Sequence, residues 1–251
     1  MSLLIKFKIK MFYKILTILL FSFLLSAHAQ DASEELIKAK VYETIKQLDW
    51  GGLDRYSHLN SELQALENKP DAVFMGNSIT EGWSFHFPGF FTENNFINRG
   101  IGGQTTSQML IRFRQDVINL NPKSVIILAG INDIAKNSRF YSINVIAENI
   151  FSMVELAKAN GIIPIICSVL PADKFEWNPD ILPAAFVVEL NTLLESYALK
   201  NKLFYLNYFD KMNNNQGGLQ SELTTDGVHV TIKGYELMSK LAKQSISDVI
   251  K

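Results

Sequence analysis

Ser78, Asp226 and His229 are the residues of this chain whose types and placement allow nucleophilic chemistry to be done jointly. A serine hydroxyl is a poor nucleophile until a base takes its proton, and imidazole is the usual base near neutral pH. Of the four histidines, His28 lies in the N-terminal thirty residues, His58 precedes the first apolar strand pattern, and His86 sits in the aromatic run WSFHFPGFF. His229 follows a strand pattern and has a carboxylate three positions before it, in DGVH (226–229). Asp226 can turn back on the imidazole, fix its tautomer and stabilise the imidazolium. Acyl transfer through such a set creates a tetrahedral oxyanion that needs fixed donors. The N–H of Ser78, the N–H of Gly103 in GIGGQTT (100–106) and the side-chain amide of Asn132 in GIND (130–133) are the candidates.

For these residues to meet, elements far apart in the chain must end at one place. The apolar runs DAVFMG (71–76), NFINRG (95–100), SVIILAG (124–130), IIPIICSV (162–169) and KLFYLN (202–207) predict five strands. Near-continuous apolarity suits strands covered on both faces, the habit of parallel sheets. Between them the spacing turns helical. In residues 106–120 a stripe of Met109, Leu110, Phe113, Val117 and Leu120 is closed by Asn121-Pro122, and in 142–161 a stripe from Ile143 to Ala157 ends at Gly161. Residues 184–201 and 231–250 repeat the pattern. This alternation predicts right-handed βαβ crossovers and a three-layer α/β/α sandwich. Ligands of open α/β sheets bind beyond the carboxyl ends of the strands, where GNSIT (76–80), GIGGQTT, GIND and DGVH all fall.

The first thirty residues differ in kind. Lys6, Lys8, Lys10 and Lys14 precede an apolar run from Ile15 to Leu25, then SAHAQ with Ala27 and Ala29 in small-x-small spacing. The pattern predicts a secretory signal over residues 1–29. The run is too short for a permanent anchor, since roughly twenty residues span a bilayer. Residues 30–70 are expected to form an N-terminal helical extension packed on the domain, with 31–50 a charged amphipathic helix, and 71–251 the domain itself. The 24 Lys and Arg nearly balance 25 Asp and Glu, which disfavours a nucleic-acid partner. The single cysteine, Cys167, excludes an intrachain disulfide and sits in an apolar run, where the thiol acts as a small hydrophobe. The dispersed histidines offer no metal-ligand spacing, so no metal or cofactor is expected.

Singly, these motifs are commonplace as turns and helix caps. Together and in this order, GNSIT, GIGGQTT, GIND and DGVH resemble the four blocks of the SGNH hydrolases, also called the GDSL esterases and lipases, over roughly residues 71–250. The resemblance implies a flavodoxin-like five-stranded parallel sheet. It also implies Ser78 as nucleophile, Gly103 and Asn132 as further oxyanion donors, and Asp226 and His229 completing a triad. Asn77 stands where the first block usually has aspartate, and Val230 where proline often follows the histidine. Thr80 breaks a GxSxG elbow, which disfavours an ordinary α/β-hydrolase.

Export and a likeness to acetylesterase-like members imply a secreted serine esterase acting on small acyl esters, acetyl foremost, of carbohydrates. The alternatives are a lysophospholipase or thioesterase for longer chains, and a non-catalytic carbohydrate-binding protein on the same scaffold. Trp177, in LPADKFEWNP, is a candidate to stack on substrate, and Trp83 a weaker one. Arg99 and Arg112 are expected in structural ion pairs rather than on an anionic substrate.

Overall fold

A computed structural model of the chain describes residues 37–38, 40–41, 44, 48–66, 69–137 and 142–250. The segment expected to be a signal lies outside the described residues. The chain divides into two compact units, Met1–Trp50 and Gly51–Lys251. In the first, Ile37, Lys38, Lys40, Val41, Thr44 and Leu48 are helical.

The second unit is built on five parallel strands: β1 (Ala72–Gly76), β2 (Phe96–Gly100), β3 (Ser124–Leu128), β4 (Ile163–Cys167) and β5 (Phe204–Leu206). Their order is β2-β1-β3-β4-β5, the flavodoxin-like arrangement. The chain leaves β1 for one neighbour and returns past it to the other, so a crevice opens beyond the ends of β1 and β3. The register sets Gly76 opposite both Gly100 and Leu128. Three strands therefore stop level, and the turns after them share one edge.

The helices are α1 (Ser57–Gln64), α2 (Ser78–His86), α3 (Thr106–Asp116), α4 (Ile143–Ala159), α5 (Ala184–Asn201) and α6 (Ile232–Val249), with single helical turns at Gly89–Thr92, Ile131–Ile134 and Phe209–Met212. In the two helix layers, α3, α4 and α5 pack in a row, and α2 touches α6. On the α2 side Phe74 of β1 is ringed by Trp83, Phe90, Phe91 and Phe96, with centroids 5.3 to 5.5 Å away. Trp83 stacks on Phe90 at 5.0 Å, and its indole N–H donates to Ser239 Oγ at 3.0 Å. Trp83, Phe90 and Phe91 of the aromatic run thus fill the core, with Trp83 placed away from solvent, while Phe85 stays exposed. Cys167 is buried at the end of β4, and burial pushes its thiol well up, the condition of an inert side chain.

Candidate active site

Beyond Gly76, Asn77 caps α2: its Oδ1 accepts the Ile79 N–H at 3.2 Å. The asparagine therefore keeps the cap that an aspartate would supply. Ser78 is the first helical residue, so its N–H has no acceptor within the helix and faces the crevice end. The close approach of β2 to α2 requires glycine at 100, where a Cβ would lie 2.1 Å from the Glu81 nitrogen.

Asp226 and His229 are joined by a turn that the aspartate itself closes. Asp226 Oδ1 accepts the N–H groups of Val228 at 2.9 Å and His229 at 2.7 Å, leaving Oδ2 facing His229 Nδ1 at 2.7 Å. Burial pulls the Asp226 carboxyl upward, but hydrogen bonds from the His229 ring and backbone and from the Val228 N–H outweigh it, and the group ends below the usual carboxylate range. The His229 carbonyl accepts the Thr225 N–H at 3.1 Å and the Thr224 hydroxyl at 2.8 Å, which stiffens the loop ahead of Val230. The other ring nitrogen, Nε2, lies 3.0 Å from Ser78 Oγ. A hydroxyl, an imidazole and a carboxylate thus form one continuous chain of hydrogen bonds.

The glycine-rich turn lies against the serine. A Cβ on Gly102 would come within 3.9 Å of Ser78 Cβ, and Gly103 adopts φ +75°, a conformation side chains rarely take. The Gly103 N–H makes no hydrogen bond among the described residues. Asn132, 5% exposed, donates one amide hydrogen to the Gln104 carbonyl at 3.0 Å, which leaves the second for a ligand. Next to it Asp133 accepts the Thr106 hydroxyl at 2.6 Å and the Thr106 N–H at 3.1 Å, at the start of α3. Burial pushes the Asp133 carboxyl up to about 6 against those bonds. Trp177 is 47% exposed, rests on buried Phe175 at 5.0 Å and lies 6.3 Å, centroid to centroid, from the His229 ring. Ser78, Gly103, Asn132, Asp226, His229 and Trp177 all occupy one rim.

The arginines serve the scaffold. Arg112 is fully buried and donates to Asp116 Oδ2 (2.8 Å), the carbonyls of Gly76 (3.0 Å) and Arg99 (2.9 Å), and Gln104 Oε1 (2.6 Å). It ties the end of β1 to the residue following Gly103. Arg99 lies 4.6 Å over the Tyr56 ring and donates to Asn60, which in turn donates to Asp116. Sequence reasoning did not single out Glu81 or Asp133 for the site. The spacing of Glu81, three residues after Ser78 and one helical turn on, was the available signal.

The GDSL-like Lipase/Acylhydrolase family model matches residues 74–237. The chain belongs to this family. Its class of chemistry as a GDSL-like acylhydrolase is carboxylic ester hydrolysis. Among solved structures, an assigned acylhydrolase of Bacteroides fragilis is 46% identical, with 80% of this chain and 99% of that one covered and a TM-score of 0.77. A GDSL-like lipase of Bacteroides thetaiotaomicron is 45% identical, covering 79% of this chain and 98% of that one at a TM-score of 0.76. An uncharacterised lipoprotein of Bacillus subtilis is 35% identical over 80 residues, 31% of this GDSL-like chain and 33% of the lipoprotein. The match thus spans about a third of that relative's length.

Proposed function

We propose that the protein is an exported serine esterase that removes small acyl groups, acetyl foremost, from carbohydrate esters. The observation carrying this reading is the relay from Ser78 Oγ to His229 Nε2 at 3.0 Å and from His229 Nδ1 to Asp226 Oδ2 at 2.7 Å. In the proposed reaction Ser78 Oγ attacks the ester carbonyl carbon while His229 takes its proton. The Ser78 and Gly103 N–H groups and the Asn132 amide hold the oxyanion. Collapse breaks the bond to the leaving alcohol, which takes the proton from His229. A water then attacks the acyl-serine with His229 as base, collapse breaks the acyl–Oγ bond, Ser78 Oγ takes the proton back from His229, and the carboxylic acid is freed.

The choice of a small acyl group rests on a cavity beneath the rim. Ile79, Ile131 and Val228, each adjacent in sequence to a proposed catalytic residue, line it together with Leu128 and Val169. Its volume of about 10 Å³ is at the lower limit for one water-sized group, which leaves no room for a long acyl chain. A carbohydrate acceptor is supported by Trp177, an exposed indole beside the imidazole that protonates the leaving alcohol, because a flat aromatic face can carry a sugar ring. Export rests on the N-terminal pattern of basic, apolar and small residues.

Reaction of the purified protein with a fluorophosphonate probe, beside Ser78→Ala, tests the nucleophile: labelling is expected in the wild type and lost in the variant. Undiminished labelling of the variant would exclude Ser78. A series of p-nitrophenyl esters tests the acyl group, with C2 preferred, and a peak at C8 or longer would transfer the protein to the lipases of longer chains.

A further inference from the structure

The loop proposed to present the Gly103 N–H has a structural difficulty: Gly102 and Gly103 are both exposed and neither has a side chain to anchor it. Glycine pairs sample a wide range of backbone conformations, so an N–H carried by them is poorly aimed unless its neighbours are held. The C-terminal flank is held firmly, by Asn132 on the Gln104 carbonyl and Arg112 on the Gln104 side chain. On the N-terminal flank the Ile101 N–H donates to the Gly76 carbonyl at 3.2 Å, and the one side chain that holds Gly102 itself among the described residues is Glu81, whose Oε2 accepts the Gly102 N–H at 2.9 Å.

The geometry points to Glu81 as the positioning residue of the oxyanion site: its carboxylate pins the Gly102 N–H so that the next N–H, that of Gly103, faces the carbonyl oxygen being attacked. Glu81 is suited to this because it lies one turn after Ser78 on α2, so nucleophile and clamp share a helix face and a common frame. Its second oxygen, Oε1, accepts from Arg55 Nη2 at 3.0 Å, which fixes the carboxylate from the solvent side. A Cβ on Gly102 would approach Oε2 to 2.9 Å, so the loop lies close against the carboxylate. Glu81 touches no reacting atom in this arrangement and acts through the loop.

The inference rests on the reading of Ser78 and Gly103 given above. Its test compares Glu81→Ala and Glu81→Gln with wild type on p-nitrophenyl acetate, with Ser78→Ala as the reference for that reading. Loss of an oxyanion donor lowers kcat by about 10²–10³-fold, and a misaimed donor is expected to cost about tenfold or more. The expected result is a fall in kcat for Glu81→Ala with KM within about twofold of wild type, and substantial recovery in Glu81→Gln, which keeps an oxygen for the Gly102 N–H. Inhibition by phenylboronic acid, whose serine adduct mimics the tetrahedral intermediate, is expected to weaken by a similar factor. Wild-type kcat and boronate affinity in Glu81→Ala would overturn the inference, as would a loss confined to KM. If Ser78→Ala retained full activity, the reading beneath it would fail instead, whatever the Glu81 variants do.

Discussion

Asp226 holds His229 twice, by Oδ2 on the ring Nδ1 and by Oδ1 on the backbone N–H of the same residue, both at 2.7 Å. One carboxylate thus sets both the path of the turn and the angle of the imidazole. Asparagine at 226 can keep Oδ1 on the backbone while placing an amide where the acceptor was, which imposes the wrong ring tautomer. Asp226→Asn is therefore expected to lower kcat by about 10³–10⁴-fold with little change in Tm. Asp226→Ala should lose activity and Tm together. Steady-state rates and thermal melts on the two variants separate the roles.

The Asn132 side chain makes one hydrogen bond among the described residues, to the Gln104 carbonyl, and is nearly buried. Asn132→Ala should lower kcat on p-nitrophenyl acetate by about 10²–10³-fold while KM stays near wild type. An equal loss spread into KM would argue against a role in the transition state.

The cavity beneath the rim makes a prediction about chain length. Val228 is 4% exposed and contributes to its wall. Val228→Ala enlarges the space, so butyrate and hexanoate esters should gain on acetate by about tenfold or more, the range expected for added methylenes in an apolar pocket. The same truncation should cost about 1–2 kcal/mol of stability, the value of two buried carbon groups. An unchanged acyl preference would remove the cavity from the acyl site.

Asp133 gives the protein a distinctive response to acid. Burial raises its carboxyl to about 6, so in the relevant window the folded protein binds a proton that the unfolded chain does not. The stabilising contribution of the protonated form is complete below the ordinary aspartate range and is lost as pH rises through about 6. Relative to Asp133→Asn, wild type should gain stability as pH falls from 7 to 5, by at most about 1.4 kcal/mol per pH unit. Urea denaturation of both proteins across that interval measures the difference.

Much of the framework was legible because buried parallel strands and amphipathic helices leave strong periodic signals. The helix expected over 184–201 is observed as Ala184–Asn201. Strand ends were read too long where the backbone turns for reasons that hydropathy does not carry: SVIILAG continues apolar to Ala129, but β3 stops at Leu128 and Gly130 takes φ +119° to enter the Ile131–Ile134 turn. On the site, Ser78 and His229 could be singled out as candidates because chemistry restricts which residue types act as nucleophile and base, and the structure brings them within 3.0 Å. The supporting hydrogen bonds were hidden. Arg112 reaches the Gly76 carbonyl from 36 positions away, and no local pattern announces a contact made only once β1 and α3 have packed. The spacing of Glu81 from Ser78 is local, but its contact was hidden, since its partner is a backbone N–H, which every residue but proline carries.

The turn closed by Asp226 also divides the machinery in time. Everything that would hold a substrate carbonyl is complete by the end of the Ile131–Ile134 turn, whereas the proposed proton acceptor and its companion are made together, only after β4, α5 and β5. A nascent or prematurely terminated chain that stops before residue 226 carries the hydroxyl without any means of activating it. Such a chain is expected to stay silent towards esters, so on this reading competence waits until His229 has been made.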